Sequence, residues 1–389
     1  MKKNFWGGRL AVMATTALVG AGCLVQAAHA EITAYSGNNL IPSINVYARI
    51  DAGLRFVSNV DLPQYNGKTG KSTLIQAAGN DWGCSMFGIT GALPLTPEIK
   101  AVYKLETGFD ATNGDFSGFN RRAYVGLSDS RLGTILFGKD LFIDNDIWGY
   151  DPMVQENMST ATLVYGRNWQ GASDMVEYRS PEEYGLKLGL QASLNPSEST
   201  QTSKYYGASL QYSIGNLNLL GVYDVMKSSN GYNNLYTASK EAIIGATYNF
   251  NPVELYAGYQ ILSAPQAGAS NPHAVAVNST TNTGAAYSLY TPVYATHAAM
   301  SWLGAVWSVN PKVKIRGAWF HTSVNNSVGH ANLFTAGTEY YFRPNVFWYA
   351  TVGEVLNSGH AQFAADIGTA PPAPDHNQLS GYTGLSIAF

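Results

Sequence analysis

From Ile44 to Phe56 the chain alternates between apolar and polar positions: Ile44, Val46, Ala48, Ile50, Ala52, Leu54 and Phe56 are separated by Asn45, Tyr47, Arg49, Asp51, Gly53 and Arg55. A period of two marks a β-strand whose two faces meet different surroundings. The pattern recurs. Tyr103, Leu105 and Phe109 interleave with Lys104, Glu106 and Gly108; Leu186, Leu188, Leu190 and Ala192 with Lys187, Gly189 and Gln191; Val313, Ile315 and Trp319 with Lys312, Lys314 and Arg316. After the first thirty residues no window approaches the ~18 apolar residues of a membrane helix.

The alternation predicts about sixteen strands of roughly ten residues, the length a tilted strand needs to cross a bilayer. They begin near residues 44, 82, 99, 120, 132, 174, 185, 204, 217, 240, 253, 296, 312, 330, 346 and 381. Their connections alternate in length. Leu93 to Pro97, Asn249 to Pro252, Asn310-Pro311 and Arg343 to Asn345 carry the Asn and Pro of tight turns. Long stretches rich in Gly, Ser and Asn lie near 58–81, 140–173, 227–239, 263–295 and 357–380.

A soluble β-sandwich requires neither this asymmetry nor aromatic residues gathered near strand ends, as at Phe347, Trp348 and Tyr349. The predicted fold class is therefore all-β, a transmembrane antiparallel β-barrel. Composition agrees. A hydrophobic share of 46% suits either class, but only 13% of residues are charged while 12% are aromatic, against about a quarter charged in soluble domains. The 389 residues would suggest two soluble domains, yet about sixteen strands and their loops in one closed sheet occupy the chain beyond its first thirty residues.

Residues 1–30 read as an export leader: Lys2, Lys3 and Arg9, an apolar run from Leu10 to Val25, then Ala28-His29-Ala30. Residues 31–389 then form the barrel. A lipid-modified Cys23 is the rival reading, but Gly20-Ala21-Gly22 lacks the Leu such boxes carry. With Cys23 removed, Cys84 remains alone and no intrachain disulfide is possible. The leader holds three of the 23 basic residues and no acid, leaving 20 basic against 26 acidic. That balance argues against nucleic acid as a partner.

The residues also resemble a family, the Gram-negative general porins of the neisserial and burkholderial type. The resemblance runs along nearly the whole mature chain. Its anchors are Val46 to Leu54, Phe87 to Gly91, Lys104 to Phe109, Asn120 to Leu127, Phe137-Gly138-Lys139, Tyr178 to Pro181 and the terminal Phe389. It implies an outer-membrane channel for passive diffusion of small hydrophilic solutes and ions. It also implies homotrimers set in outer-membrane lipid and lipopolysaccharide. Leu385, Ile387 and Phe389 share one face of the last strand, and in this family a terminal Phe is the signal for the assembly machinery.

The family's third loop folds into the barrel and narrows it; here it is the stretch of about 140–173. It carries Asp140, Asp144, Asp146, Asp151 and Glu156, with no basic residue before Arg167. Asp144, Asp146, Asp151 and Glu156 are the candidate acidic side of the constriction. Asp151 sits one position off the family site, which Pro152 occupies. Arg49 and Arg179 lie on polar faces by alternation and match the family's basic cluster. Arg121 matches a third basic position, although it shares its face with Ala123, Val125 and Leu127, so Arg122 takes the role if the register differs. The family's second strand carries an Arg where this chain has Met86. Acids facing guanidiniums would set up a transverse field, and the missing Arg predicts weak cation preference.

Two other functions compete. Barrel enzymes need clustered Asp/His or Ser/His groups, whereas His273, His297, His321, His330, His360 and His376 are scattered. No catalytic residue, metal or cofactor is expected. A substrate-specific channel for anionic or aromatic solutes would line its pore with a ladder, and Lys312, Lys314 and Arg316 could begin one.

Overall fold

The computed structural model describes residues 32–35, 42–61, 70–154, 156–164, 171–194, 204–227, 239–263, 297–325, 329–367 and 369–389. Residues 1–31 with the expected leader, together with Arg167 and most of the long stretches near 227–239 and 263–295, lie outside the described residues. The first strands are β1 (Ile32–Tyr35), β2 (Ser43–Asp61), β3 (Lys71–Gly79), β4 (Ser85–Pro94), β5 (Ile99–Phe109) and β6 (Arg122–Asp129). Next come β7 (Gly133–Leu141), β8 (Gly171–Arg179), β9 (Leu186–Leu194), β10 (Lys204–Ile214), β11 (Leu217–Lys227) and β12 (Ser239–Asn249). The last six are β13 (Val253–Ser263), β14 (His297–Asn310), β15 (Val313–Val324), β16 (Gly329–Arg343), β17 (Val346–Ser358) and β18 (Gln378–Ala388).

Successive strands pair antiparallel with their neighbours, and β18 pairs with β2, so the sheet closes on itself. Closure leaves no edge whose amides would face hydrocarbon unpaired. Eighteen segments reduce to sixteen staves. The first half of β2 pairs with β4 and the second half with β3, so those two are one stave interrupted at 80–84. The four-residue β1 only adds to the start of β2.

The predicted starts near 99, 132, 185, 204, 217, 240, 253, 296, 312, 330 and 346 each fall within a residue or so of an observed strand. The second stave departs from expectation. Its predicted start near 82 is where the stave breaks; strand structure already runs from Lys71 to Gly79, opposite a β2 that continues to Asp61. Alternation is weak there, and pairing with β2, such as Arg55 with Gln76, imposes the conformation.

The barrel inverts the layout of a soluble protein. Leu54, Val125, Leu210 and Ile244 are 50–64% exposed on the outside, while Arg49, Asp51, Glu106 and Glu339 are at most 3% exposed within. An apolar belt facing outward is stable only against lipid. The turns at β4–β5, β12–β13, β14–β15 and β16–β17 are short, and long connections follow β5, β7 and β17.

Candidate functional site

After Leu141 the chain turns into the barrel as a 3-10 helix, Ile143–Tyr150, lying against β9 to β13. Its apolar residues dictate the side it buries: Phe142, Ile143 and Ile147 are at most 2% exposed. The loop then follows the inner wall. Trp302 on β14 donates to the carbonyl of Tyr150 at 2.9 Å, and Arg316 on β15 donates to that of Pro152 at 3.1 Å. Thr351 on β17 and Tyr382 on β18 donate to Glu156 at 2.6 and 2.8 Å. Asn157 reaches Asp81 in the break of the second stave, amide to carbonyl at 2.8 Å and side chain to carboxylate at 3.0 Å. Gly304 makes this path possible, because a Cβ there would stand 2.5 Å from the ring of Pro152.

The wall charges gather beside the start of this loop. Arg122 bonds to Glu106 and, through Nε, to Asp140 at 2.8 Å. Arg121 donates to the same Glu106 at 2.8 Å. Both arginines thus lie inside. Arg122 follows the alternation, being opposite Glu106 in the ladder, whereas Arg121 precedes β6 and escapes its strict two-residue rule. Its side chain lies over Gly108. Arg179 binds Asp146 of the 3-10 helix at 2.5 Å and Glu177 at 2.5 Å, and Ser209 donates to Asp146 at 2.8 Å. Arg49 is 3% exposed; its Nε donates to the carbonyl of Cys84 at 2.9 Å and its guanidinium lies 5.4 Å above the Trp82 ring. Met86 is its ladder partner.

The acids of the loop have separate fates. Asp146 alone of the four candidates makes an ion pair with a wall arginine among the described residues. Asp144 is fully buried. Asp151 is turned into its own loop, accepting from the amide and hydroxyl of Thr160 at 2.8 and 2.6 Å and from the amide of Met153 at 2.8 Å. Glu156 is pressed against β17 and β18, and burial pushes its carboxyl up to about 8 despite Arg316 nearby. Asp151 and Glu156 are therefore placed away from the arginines of β6 and β8, because the loop carries them around the wall. Those arginines are neutralised by carboxylates of the wall itself, Glu106, Asp140 and Glu177; of these the sequence pattern had singled out only Asp140, as an acid of the third loop. Glu106 was already visible on the polar face of its strand.

Two polar cavities lie beside these charges. One of about 290 Å³ is lined by Arg122, Asp140, Asp146, Arg179, Lys187 and Asn218 among others. The other, of about 600 Å³, is lined by Asn80, Cys84, Asp110, Asp115, Asn120 and Arg121 among others. Leu141 borders both, and the adjacent Arg121 and Arg122 border one each.

The family model described as Gram-negative porin matches residues 14–360. The chain belongs to the Gram-negative porin family. This porin is accordingly an outer-membrane barrel that crosses the bilayer many times. It is 22% identical over 246 residues to an outer-membrane porin protein of Bordetella pertussis, covering 56% of this chain. The match spans 63% of that relative's length. An anion-selective porin from Comamonas acidovorans superimposes with a TM-score of 0.73 at 18% identity, covering 90% of this porin and 100% of that chain. OmpT of Vibrio cholerae, solved in a trimer form, gives 0.58 at 13% identity, covering 90% and 99%. At these identities the structures share the fold with this porin.

Proposed function

We propose that the protein is a passive channel for small hydrophilic solutes and ions, with its narrow section at Arg121, Arg122, Asp140 and Leu141. The observation that carries this is the pair of polar cavities that share Leu141, with Arg122 and Asp140 bordering one and Arg121 the other. Arg122 and Arg179 pair with Asp140 and Asp146 along the wall beside that section. A solute that hydrogen-bonds and orients in their field passes with little loss of hydration, and weak contacts let it leave. Arg49 is covered by Trp82 and bound to the carbonyl of Cys84, Asp151 and Glu156 serve as loop anchors, and the chemistry offered is permeation rather than catalysis.

Selectivity in this reading is weakly cationic. Inside the barrel Asp51, Asp81, Glu106, Glu177, Asp224, Glu241 and Glu339 are all buried, against Arg49, Arg55 and Arg316 at comparable depth. The anion selectivity named for the Comamonas porin belongs to that protein. A ladder for anionic or aromatic solutes is not favoured here, since Arg316 is tied to Glu339 at 2.8 Å. The same reading has the leader 1–30 removed on export. The barrel assembles as a homotrimer in lipid and lipopolysaccharide, after recognition of the strand ending at Phe389 by the assembly machinery.

Planar-bilayer recording of the purified protein tests the proposal. Discrete ohmic steps with a small cationic reversal potential are expected; absence of conductance, or clear anion preference, would overturn the channel or its selectivity in turn.

A further inference from the structure

A second stretch of chain lies inside this barrel. Between β17 and β18, residues Ala361 to Ile367 are each at most 7% exposed, although a connection at the barrel mouth would ordinarily be solvated. Asn357 holds the stretch from the inner wall, accepting from the amide of Phe363 and donating to its carbonyl, both at 2.9 Å. Gln378 accepts from the amide of Ala365 at 3.0 Å. Phe363 belongs to an apolar cluster with Leu333 and Val355 of the wall and Leu163 and Val164 of the third loop. The amide of Ile367 then bonds to the carbonyl of Asn157 at 3.2 Å, so the two inward loops touch.

Arg55 stands at the meeting point. Its guanidinium pairs with Asp81 and with Asp366 at 3.2 Å, and both carboxylates are fully buried. Asp81 in turn receives Asn157 of the third loop. One cation therefore joins the β2 wall, the break in the second stave, the tip of the third loop and the last loop. Two carboxylates so placed need that cation, because like charges without one are costly in a buried setting.

We propose that Arg55 is a positioning residue for a second constriction: by binding Asp366 it holds 361–367 against the third loop and so sets the bore of the channel. The inference rests on the channel reading above. It differs in placing the size limit on the β15 to β18 side, in a loop that the family's inward third loop does not supply.

The test compares single-channel steps and the size cut-off to neutral polymers of graded length in planar bilayers, for the full chain and four variants. Arg55→Gln leaves Asp81 and Asp366 without their shared cation, and Asp366 leaves the wall for water. The step rises about twofold and larger polymers enter, as expected when one side of the bore is cleared. Deleting 361–367 produces the same rise, and Arg55→Gln adds nothing on top of the deletion. Arg55→Lys, which keeps the charge, restores most of the small step. A deletion that leaves step and cut-off unchanged overturns the proposal, as does an effect of Arg55→Gln that persists within the deletion. If Arg55→Gln fails to fold, the deletion alone decides. Equal steps in both chains sink the second constriction only, whereas no conductance in either sinks the channel reading as well.

Discussion

Replacing Arg122 with Gln removes one positive charge from the narrow section and leaves Glu106 and Asp140 in place, both of which Arg122 binds in the native chain. Glu106 keeps Arg121 at 2.8 Å and Lys104 at 3.5 Å, so the wall stays folded. A unit charge about 7 Å from an ion in water contributes roughly 0.6 kcal/mol, and screening at ~0.1 M salt halves this. The term acts with opposite sign on cation and anion. Together they differ by about 0.6 kcal/mol, a roughly threefold rise in the cation-to-anion permeability ratio. The reversal potential across a salt gradient in a planar bilayer reads this ratio directly. Arg131→Gln, in the exposed turn after β6, should leave it unchanged. A ratio that does not move, or moves toward anions, refutes the placing of Arg122 on the ion path.

Leu210→Arg, on the outer face where Leu210 is 50% exposed, should cost about 2–4 kcal/mol if that face meets lipid; chemical unfolding in lipid vesicles measures it, and a neutral result contradicts the assignment of faces. Deleting Phe389 removes the two main-chain bonds with Ala48, of 2.7 and 3.0 Å, that close the β18–β2 seam. Insertion into vesicles should slow markedly, and wild-type rates in the truncated chain would exclude a role for the terminus. Glu156 titrates near 8 in the fold against ~4.3 in an unfolded chain, so folding favours its protonated form. The stability it contributes is complete below about pH 4 and disappears as pH rises through 8. Thermal unfolding in detergent should fall over that window, and Glu156→Gln should flatten the slope; a slope kept by the variant would attribute it to another group.

Much of the barrel was legible because its strands alternate. A residue's face is set by its parity along the strand, so the oily Ile44 to Phe56 positions and the polar Arg49 and Glu106 could be assigned without knowing a neighbour. Tight turns were legible for a similar local reason, since Asn310-Pro311 and Arg343-Pro344-Asn345 carry backbone preferences of their own. Where local preference weakened, as before Gly79, ladder pairing with β2 decided the conformation and the predicted start was displaced.

The inner loop shows where such reasoning stops. From sequence, Asp144, Asp146, Asp151 and Glu156 are equivalent acids in one long connection. The structure separates them: Asp146 reaches Arg179, while Asp151 caps its own loop and Glu156 is carried to β17 and β18. Arg121 and Arg122, alternatives by parity, both reach Glu106 because parity ends where the strand does. Alternation is a property of adjacent residues and was decided by the chain itself, and with it the closed sheet and its two faces. The path of a loop across the lumen depends on contacts between residues hundreds of positions apart, such as Asp51 with Tyr349 or Trp82 with Glu339. Those contacts exist only once the barrel has closed, so the tertiary structure alone decided which charges pair with one another.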